Sequence, residues 1–282
     1  LLRGLEVRSK SLVNLEPKGF AQDWETAAAY VEKALQRMTS VGADGFGAFD
    51  PKWIPYSTMV SPLAAILYEI DQKRLTHRAF DLMRRWYWSS VFLERYAGAV
   101  ESTIDRDYQD LKAAFVDESA QPQVFADARA IILDNPTYSL RQTSRLNATY
   151  RGIMCLVALR GARDLRKYDA IHFHELDDHH IFPEAYLRRL ASETRPTPAE
   201  VNSIVNRTLI SADTNKAISQ KAPSAYLREL VPAAQASAIL WSHFVDARGA
   251  EAMRNDDFGA FIDAREAALV AEVRDRIRGT VS

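Results

Sequence analysis

Asp177-Asp178-His179-His180-Ile181-Phe182-Pro183 decides how the second half of this chain is read. An acidic, imidazole-rich run closing on two apolar residues and a proline has the pattern of a strand end handing over to a short helix, since proline suits a first helical turn. Just ahead of it, Ala170 to His174 alternates apolar and polar residues as a short strand does. Downstream, Val205 to Ile210 leans towards strand, and Asp213 to Gln220 reads as a short helix. The stretch thus sits in a strand, strand, helix series, and four of the six histidines fall between His172 and His180.

Outward from this point the chain reads as helix. Ala21 to Thr39 carries Trp24, Ala27, Ala28, Val31, Ala34, Leu35 and Met38 at helical spacing. Ser61 is a candidate cap, with Pro62 at the first position of a helix through Leu63, Ile66, Leu67 and Ile70. Leu75 to Leu93 puts Phe80, Met83, Tyr87 and Val91 on one face, and further helices are expected over 102–115, 122–133 and 144–160. A long amphipathic helix with Phe258, Phe261, Ile262, Leu269, Val273 and Ile277 closes the sequence. The glycines and prolines of Gly42 to Tyr56 mark a loop. Asp134-Asn135-Pro136 marks a boundary, giving a helical scaffold over 1–135 and a second domain over 136–282.

With 282 residues, 47% of them hydrophobic, the chain can bury one large core or two ordinary ones. Cys155 is the only cysteine, which excludes an intrachain disulfide and a zinc site built on cysteine pairs. No apolar run is long enough to span a bilayer, so a cytoplasmic protein without a membrane partner is expected. The net charge of -1 does not announce a nucleic-acid binder. Yet Arg141 to Leu230 holds fourteen Arg or Lys against ten Asp or Glu, so the basic part coincides with the histidine-rich region. The first residue is Leu, with no Met before it, as expected of a piece of a longer protein.

The His179-His180 pair, then Asn206-Arg207-Thr208-Leu209-Ile210, then Thr214-Asn215-Lys216, with the second asparagine nine positions after the first, resembles the ββα-metal or HNH nuclease motif. The fold implied is mainly α, a helical bundle scaffold with an embedded small ββα-metal element. The resemblance implies His179 and Asn215 as metal ligands, His180 as general base and Asn206 as the residue that orients His180. Such a site hydrolyses DNA phosphodiesters. A neutral imidazole takes the proton of the attacking water, and a divalent ion neutralises charge on the departing oxygen. The implied ion is Mg or Mn. His179 stands where many HNH sites carry an acid, and imidazole tolerates Mn, Ni or Zn better than Mg. Asp178 is the alternative ligand, which would leave His179 a bystander. On a regular strand His179 and His180 point to opposite faces, so either a bend brings both to the site or one of them is not catalytic.

Lys221-Ala222-Pro223-Ser224-Ala225-Tyr226-Leu227, and in the helical half Arg85-Trp86-Tyr87-Trp88-Ser89-Ser90, Arg95-Tyr96 and Asp105-Arg106-Asp107, extend the resemblance to GmrSD-type restriction proteins and the related Ssp defence nucleases. It implies the effector half of a bacterial restriction or phage-defence system. Its partners would be DNA and an N-terminal nucleotide-hydrolysing sensor domain not legible in this sequence. The segment from Glu184 to Val205 is longer than in minimal HNH sites.

Arg207, Lys216, Lys221 and Arg188 are candidate phosphate contacts, set against the ordinary reading of exposed surface charge. His172 and His174 touch metal or DNA, or simply line a strand face. Glu175, Asp177 and Asp178 form an acidic cluster or a turn. Trp86, Tyr87 and Trp88 fit core packing better than base stacking, and Cys155 reads as inert filler. Two rival readings stand beside the nuclease: a DNA- or partner-binding helical scaffold with a degenerate site, and a structural zinc site drawing on His172, His174, His179 and His180.

Overall fold

The helical periods become helices along most of the chain, and among the described residues strand structure is limited to one antiparallel pair. A computed structural model describes residues 1, 3, 7, 9–143, 145, 147–166 and 176–279. The strand expected at 170–174, with His172, His174 and Glu175, lies outside the described residues. No described helix is long and apolar enough to cross a membrane.

The chain divides into two compact units, and neither is a continuous stretch. The first comprises Leu1–Thr39, Ile54–Thr137 and Val273–Ser282; the second comprises Ser40–Trp53 and Tyr138–Glu272. A single break at 135/136 was expected. The chain instead changes unit at 137/138, and the glycine-rich segment Ser40–Trp53 and the C-terminal Val273–Ser282 each belong to the unit distant in sequence.

In the first unit, α1 (Ser9–Val13) precedes α2 (Phe20–Thr39), which packs along α3 (Val60–Gln72). The apolar period of α2 is wider than its buried face. Ala34 and Met38 are buried, but Trp24, Val31 and Leu35 are exposed. Ser61 does not cap α3. The helix runs on from the 3-10 turn Ser57–Met59, and Pro62 falls within its first turn, where a missing N–H forfeits no helical bond. α4 (His77–Phe92), α5 (Val100–Val116) and α6 (Gln123–Ala128), the last continuing into a π turn at Arg129–Leu133, complete the packing.

Trp86, Tyr87 and Trp88 are buried in α4, so they are core and not a stacking platform. The Asp107 carboxylate is also fully buried. It accepts hydrogen bonds from Trp86 Nε1 (3.0 Å), Tyr96 Oη (3.0 Å) and Arg95 Nε (2.9 Å). Burying a charge is costly unless it is paired and bonded, and this knot does both.

The second unit holds α7 (Ala148–Leu159), β1 (Leu176–His180), α8 (Glu184–Leu187), α9 (Pro198–Val201), β2 (Arg207–Ser211), α10 (Ala212–Ile218), α11 (Pro223–Leu230), α12 (Ala236–Ser242) and α13 (Ala247–Arg254). It also holds α14 (Phe258–Arg278) as far as Glu272. β1 and β2 pair antiparallel, α7 packs against β2, and α10 packs on both strands. Gly47 (φ +79°) passes against α7 so closely that a Cβ there would lie 2.4 Å from the Cys155 carbonyl oxygen, which excludes any side chain. Cys155 is wholly buried, and its Sγ lies 3.3 Å from the Trp53 carbonyl. Burial pushes its thiol pKa far up, which makes it inert.

Candidate active site

The β1–β2 ladder runs without interruption from the pair Leu176 and Ser211 to the pair His180 and Arg207. Partners in register share a face, so Asp178 and His180 stand with Leu209 and Arg207, while His179 stands with Thr208 on the other side. This ladder holds no bulge. The two histidines expected to act from one face therefore diverge, which also parts the pair that a structural zinc site would need.

Asp178 is 5% exposed, and its carboxylate is engaged on all sides. Tyr150 Oη donates to it in a short hydrogen bond, Arg145 forms an ion pair, and Arg207 Nη1 lies 3.5 Å away. An acid already neutralised by two guanidiniums and a phenol has little affinity left for a cation, so the expected role of Asp178 as a metal ligand is corrected to that of a buried structural anion.

Arg207 is corrected as well. It is 7% exposed, and besides Asp178 its Nη2 donates to Asn202 Oδ1 at 2.8 Å. It is not a surface phosphate contact. Lys216 is exposed on α10. Arg188 pairs with Glu184 one helical turn away, and Lys221 pairs with Glu229 at 2.6 Å; both pairs are exposed and therefore weak.

Asn206 does not touch His180. Fully buried, it ties three backbone groups together. Its Oδ1 accepts from Phe182 N (2.9 Å), and its Nδ2 donates to Phe182 O (3.1 Å) and Val201 O (3.0 Å). Asn206 O also accepts from Ile181 N at 2.8 Å, and Tyr226 Oη donates to Ile181 O at 2.9 Å. Asn206 thus holds the chain as it leaves β1 and does not take its expected role as the orienter of His180.

The carboxamide that meets His180 is that of Asn202, whose Oδ1 lies 3.1 Å from His180 Nε2. Asn202 comes from the long insert, which folds into α8 and α9. Thr197 and Glu200 form a capping box at the start of α9, and Asn202 closes its end. The Thr-x-x-Glu signal was legible in the sequence, but nothing local to it indicates what Asn202 reaches. Burial first, and then the charge of Arg207, lower the His180 pKa to about 4 against the smaller opposing pull of Asn202, Glu184 and Asp178. The imidazole is neutral at pH 7.

Asn215 lies in α10, half-buried, and no described group hydrogen-bonds its carboxamide. Ser211 caps this helix by accepting from Thr214 N. Asp164 clamps the same turn, accepting from Thr214 Oγ1 (2.6 Å) and Ser211 Oγ (2.7 Å). Beneath the site Arg265, wholly buried on α14, donates to the carbonyls of His243, Ile204 and Val205, holding the 3-10 turn that leads into β2. Burial lowers its pKa to about 9. His243, also buried, accepts from or donates to Thr208 Oγ1 at 2.7 Å through Nδ1 and donates from Nε2 to Arg163 O at 2.7 Å. Because the second contact requires the proton on Nε2, Nδ1 is the acceptor for Thr208.

Among the described residues no three His, Cys, Asp or Glu are grouped to hold a metal ion. The two remaining expected ligands are His179, a nitrogen donor on β1 facing away from His180, and Asn215, an oxygen donor on α10. With Asp178 engaged elsewhere, that donor set fits Mn, Ni or Zn better than Mg.

No family model matches the chain, and no solved structure matches it. Over 303 aligned residues, 98% of this chain, it is 27% identical to an uncharacterised protein of Methanocaldococcus jannaschii. The chain spans 50% of that protein's length.

Proposed function

We propose that the second unit carries a metal-dependent HNH-type endonuclease that nicks DNA, acting as the effector part of a restriction or phage-defence protein. The observation that carries this reading is the order β1, β2, α10. It delivers a neutral, oriented His180 at a strand end and an unengaged Asn215 on the helix that follows. A histidine that is unprotonated at pH 7 can accept the proton of an attacking water. Asn206 and Tyr226 fix the backbone beyond it, so the imidazole does not drift as β1 ends. Asp178 compensates Arg207 beneath the site. A divalent ion held through Asn215 would bind the scissile phosphate and neutralise the leaving oxygen; His179, on the face of β1 opposite His180, is left out of that role. Lys216, Arg188 and Lys221 supply exposed positive charge for the duplex, the latter two by exchanging weak carboxylate partners for phosphate. Sequence or modification readout would come from an N-terminal nucleotide-hydrolysing sensor domain. The greater length of the archaeal relative leaves room for such a module.

The test is relaxation of supercoiled plasmid with Mg, Mn or EDTA, comparing the parent with His180→Ala and Asn215→Ala. Metal-dependent nicking, with a loss of about 100-fold or more in His180→Ala, is expected. Nicking that survives EDTA, or that persists at the parental rate in both variants, would overturn the reading. The engagement of Asp178 and the divergence of the two histidines favour a second reading, a DNA-binding scaffold without turnover. It predicts retention of plasmid in a gel shift and no nicking with any metal.

A further inference from the structure

We infer that Asn202 is a positioning residue for His180, holding its proton on Nε2 and turning the lone pair of Nδ1 outward as the basic atom. The inference rests on the nuclease reading for its consequence in catalysis, but not for its geometry.

The orientation of the Asn202 carboxamide is set by two contacts that do not involve His180. Its Nδ2 donates to Pro198 O at 2.9 Å, the carbonyl of the first residue of α9. Its Oδ1 accepts from Arg207 Nη2 at 2.8 Å, and a guanidinium can only donate. Reversing the amide would set an NH₂ against a guanidinium and an oxygen against a carbonyl. The atom facing His180 Nε2 at 3.1 Å is therefore an oxygen with one lone pair left, and an oxygen there requires N–H on the ring. In the neutral imidazole the other nitrogen then carries the lone pair. No described group hydrogen-bonds Nδ1.

Register explains why the three groups meet. His180 and Arg207 are direct partners across the ladder, side by side on one face, and Asn202 spans both from the C-terminus of α9. Arg207 is itself anchored on Asp178, which Tyr150 and Arg145 also hold. The insert between β1 and β2 thus supplies the outer contact that selects one tautomer of the base. Groups of this kind typically change activity 10- to 100-fold when removed, without touching substrate.

Two variants separate this role from a structural one. Asn202→Leu and Asn202→Asp both lose the Nδ2 bond to Pro198, but only the aspartate keeps an oxygen for His180 and Arg207. A purely structural Asn202 predicts equal damage in both. The positioning role predicts that Asn202→Asp recovers most of an activity that Asn202→Leu loses by about 10- to 100-fold in kcat. The tautomer is read directly by long-range ¹H–¹⁵N correlation on full-length protein, with His180 assigned by its absence in His180→Ala. Expected in the parent at neutral pH are a pyrrole-like Nε2 and a pyridine-like Nδ1, with averaged nitrogens in Asn202→Leu. A parent whose proton resides on Nδ1 overturns the inference whatever the variants do, including a variant that fails to fold. Because the spectrum needs no substrate, a parent with the expected tautomer and no nicking activity would refute the nuclease reading alone.

Discussion

Replacing Asn206 by alanine should act on the fold before it acts on any chemistry. The side chain is wholly buried and makes three hydrogen bonds, to Phe182 N, Phe182 O and Val201 O. Alanine leaves each of these backbone groups without its partner in a site too tight for easy access of water. An orphaned buried polar group costs about 1–3 kcal/mol, so three of them amount to roughly 3–9 kcal/mol. Domains of this size class are stable by about 5–15 kcal/mol, so the loss is a large fraction of the whole. At about 2–4 °C per kcal/mol, the thermal midpoint should fall on the order of 10 °C. Aspartate should be no better, since its second oxygen would face the two carbonyls that Nδ2 now serves. Urea unfolding followed by circular dichroism measures the change. If Asn206→Ala proved within about 1 kcal/mol of the parent while losing nicking activity, Asn206 would be acting on the reaction and its assignment as a backbone tie would be wrong.

Acid should weaken the second unit through His243. Its pKa falls from 6.5 to about 4, first through burial, with the charge of Arg265 adding to it against the bond to Arg163 O. The unfolded chain takes up the proton first as pH drops below 6.5, so the contribution is complete above that pH and is lost as pH falls towards 4, by roughly 3 kcal/mol at most. His243→Asn should unfold with a shallower dependence on pH between 7 and 4.5, and a slope equal to the parent's would contradict this. Gly47→Ala combines a positive φ with a Cβ 2.4 Å from a backbone oxygen. It should cost more than about 3 kcal/mol, and a denaturation midpoint near the parent's would refute the close approach. Asp164→Ala should loosen the first turn of α10. The carboxylate accepts from Ser211 and Thr214 there, and those bonds, outweighing burial, hold its pKa below the usual range. Faster amide exchange at 212–216 than in the parent is expected; unchanged protection would show that the clamp contributes nothing.

What the sequence determines by itself is whatever depends on neighbours within a turn or two. Apolar spacing locates the helices from α2 to α7 and the apolar face of α14, and the pattern around His179, Asn206 and Asn215 leads to a strand, a second strand and a helix. Periodicity says which residues share a face but not whether anything covers it, which is why Trp24 sits in the α2 period and is nevertheless exposed. What the tertiary structure decides are the partners. Asp178 is claimed by Tyr150, 28 residues away, Asn202 reaches His180 across 22, and Arg265 grips Val205 across 60. The ladder register sends His179 and His180 to opposite faces. Residue type and spacing nominate groups able to do the chemistry. Which of them are already neutralised, buried or turned away depends on long-range packing that no local pattern encodes, and here that packing removes Asp178 and Arg207 from the surface chemistry and brings Asn202 in.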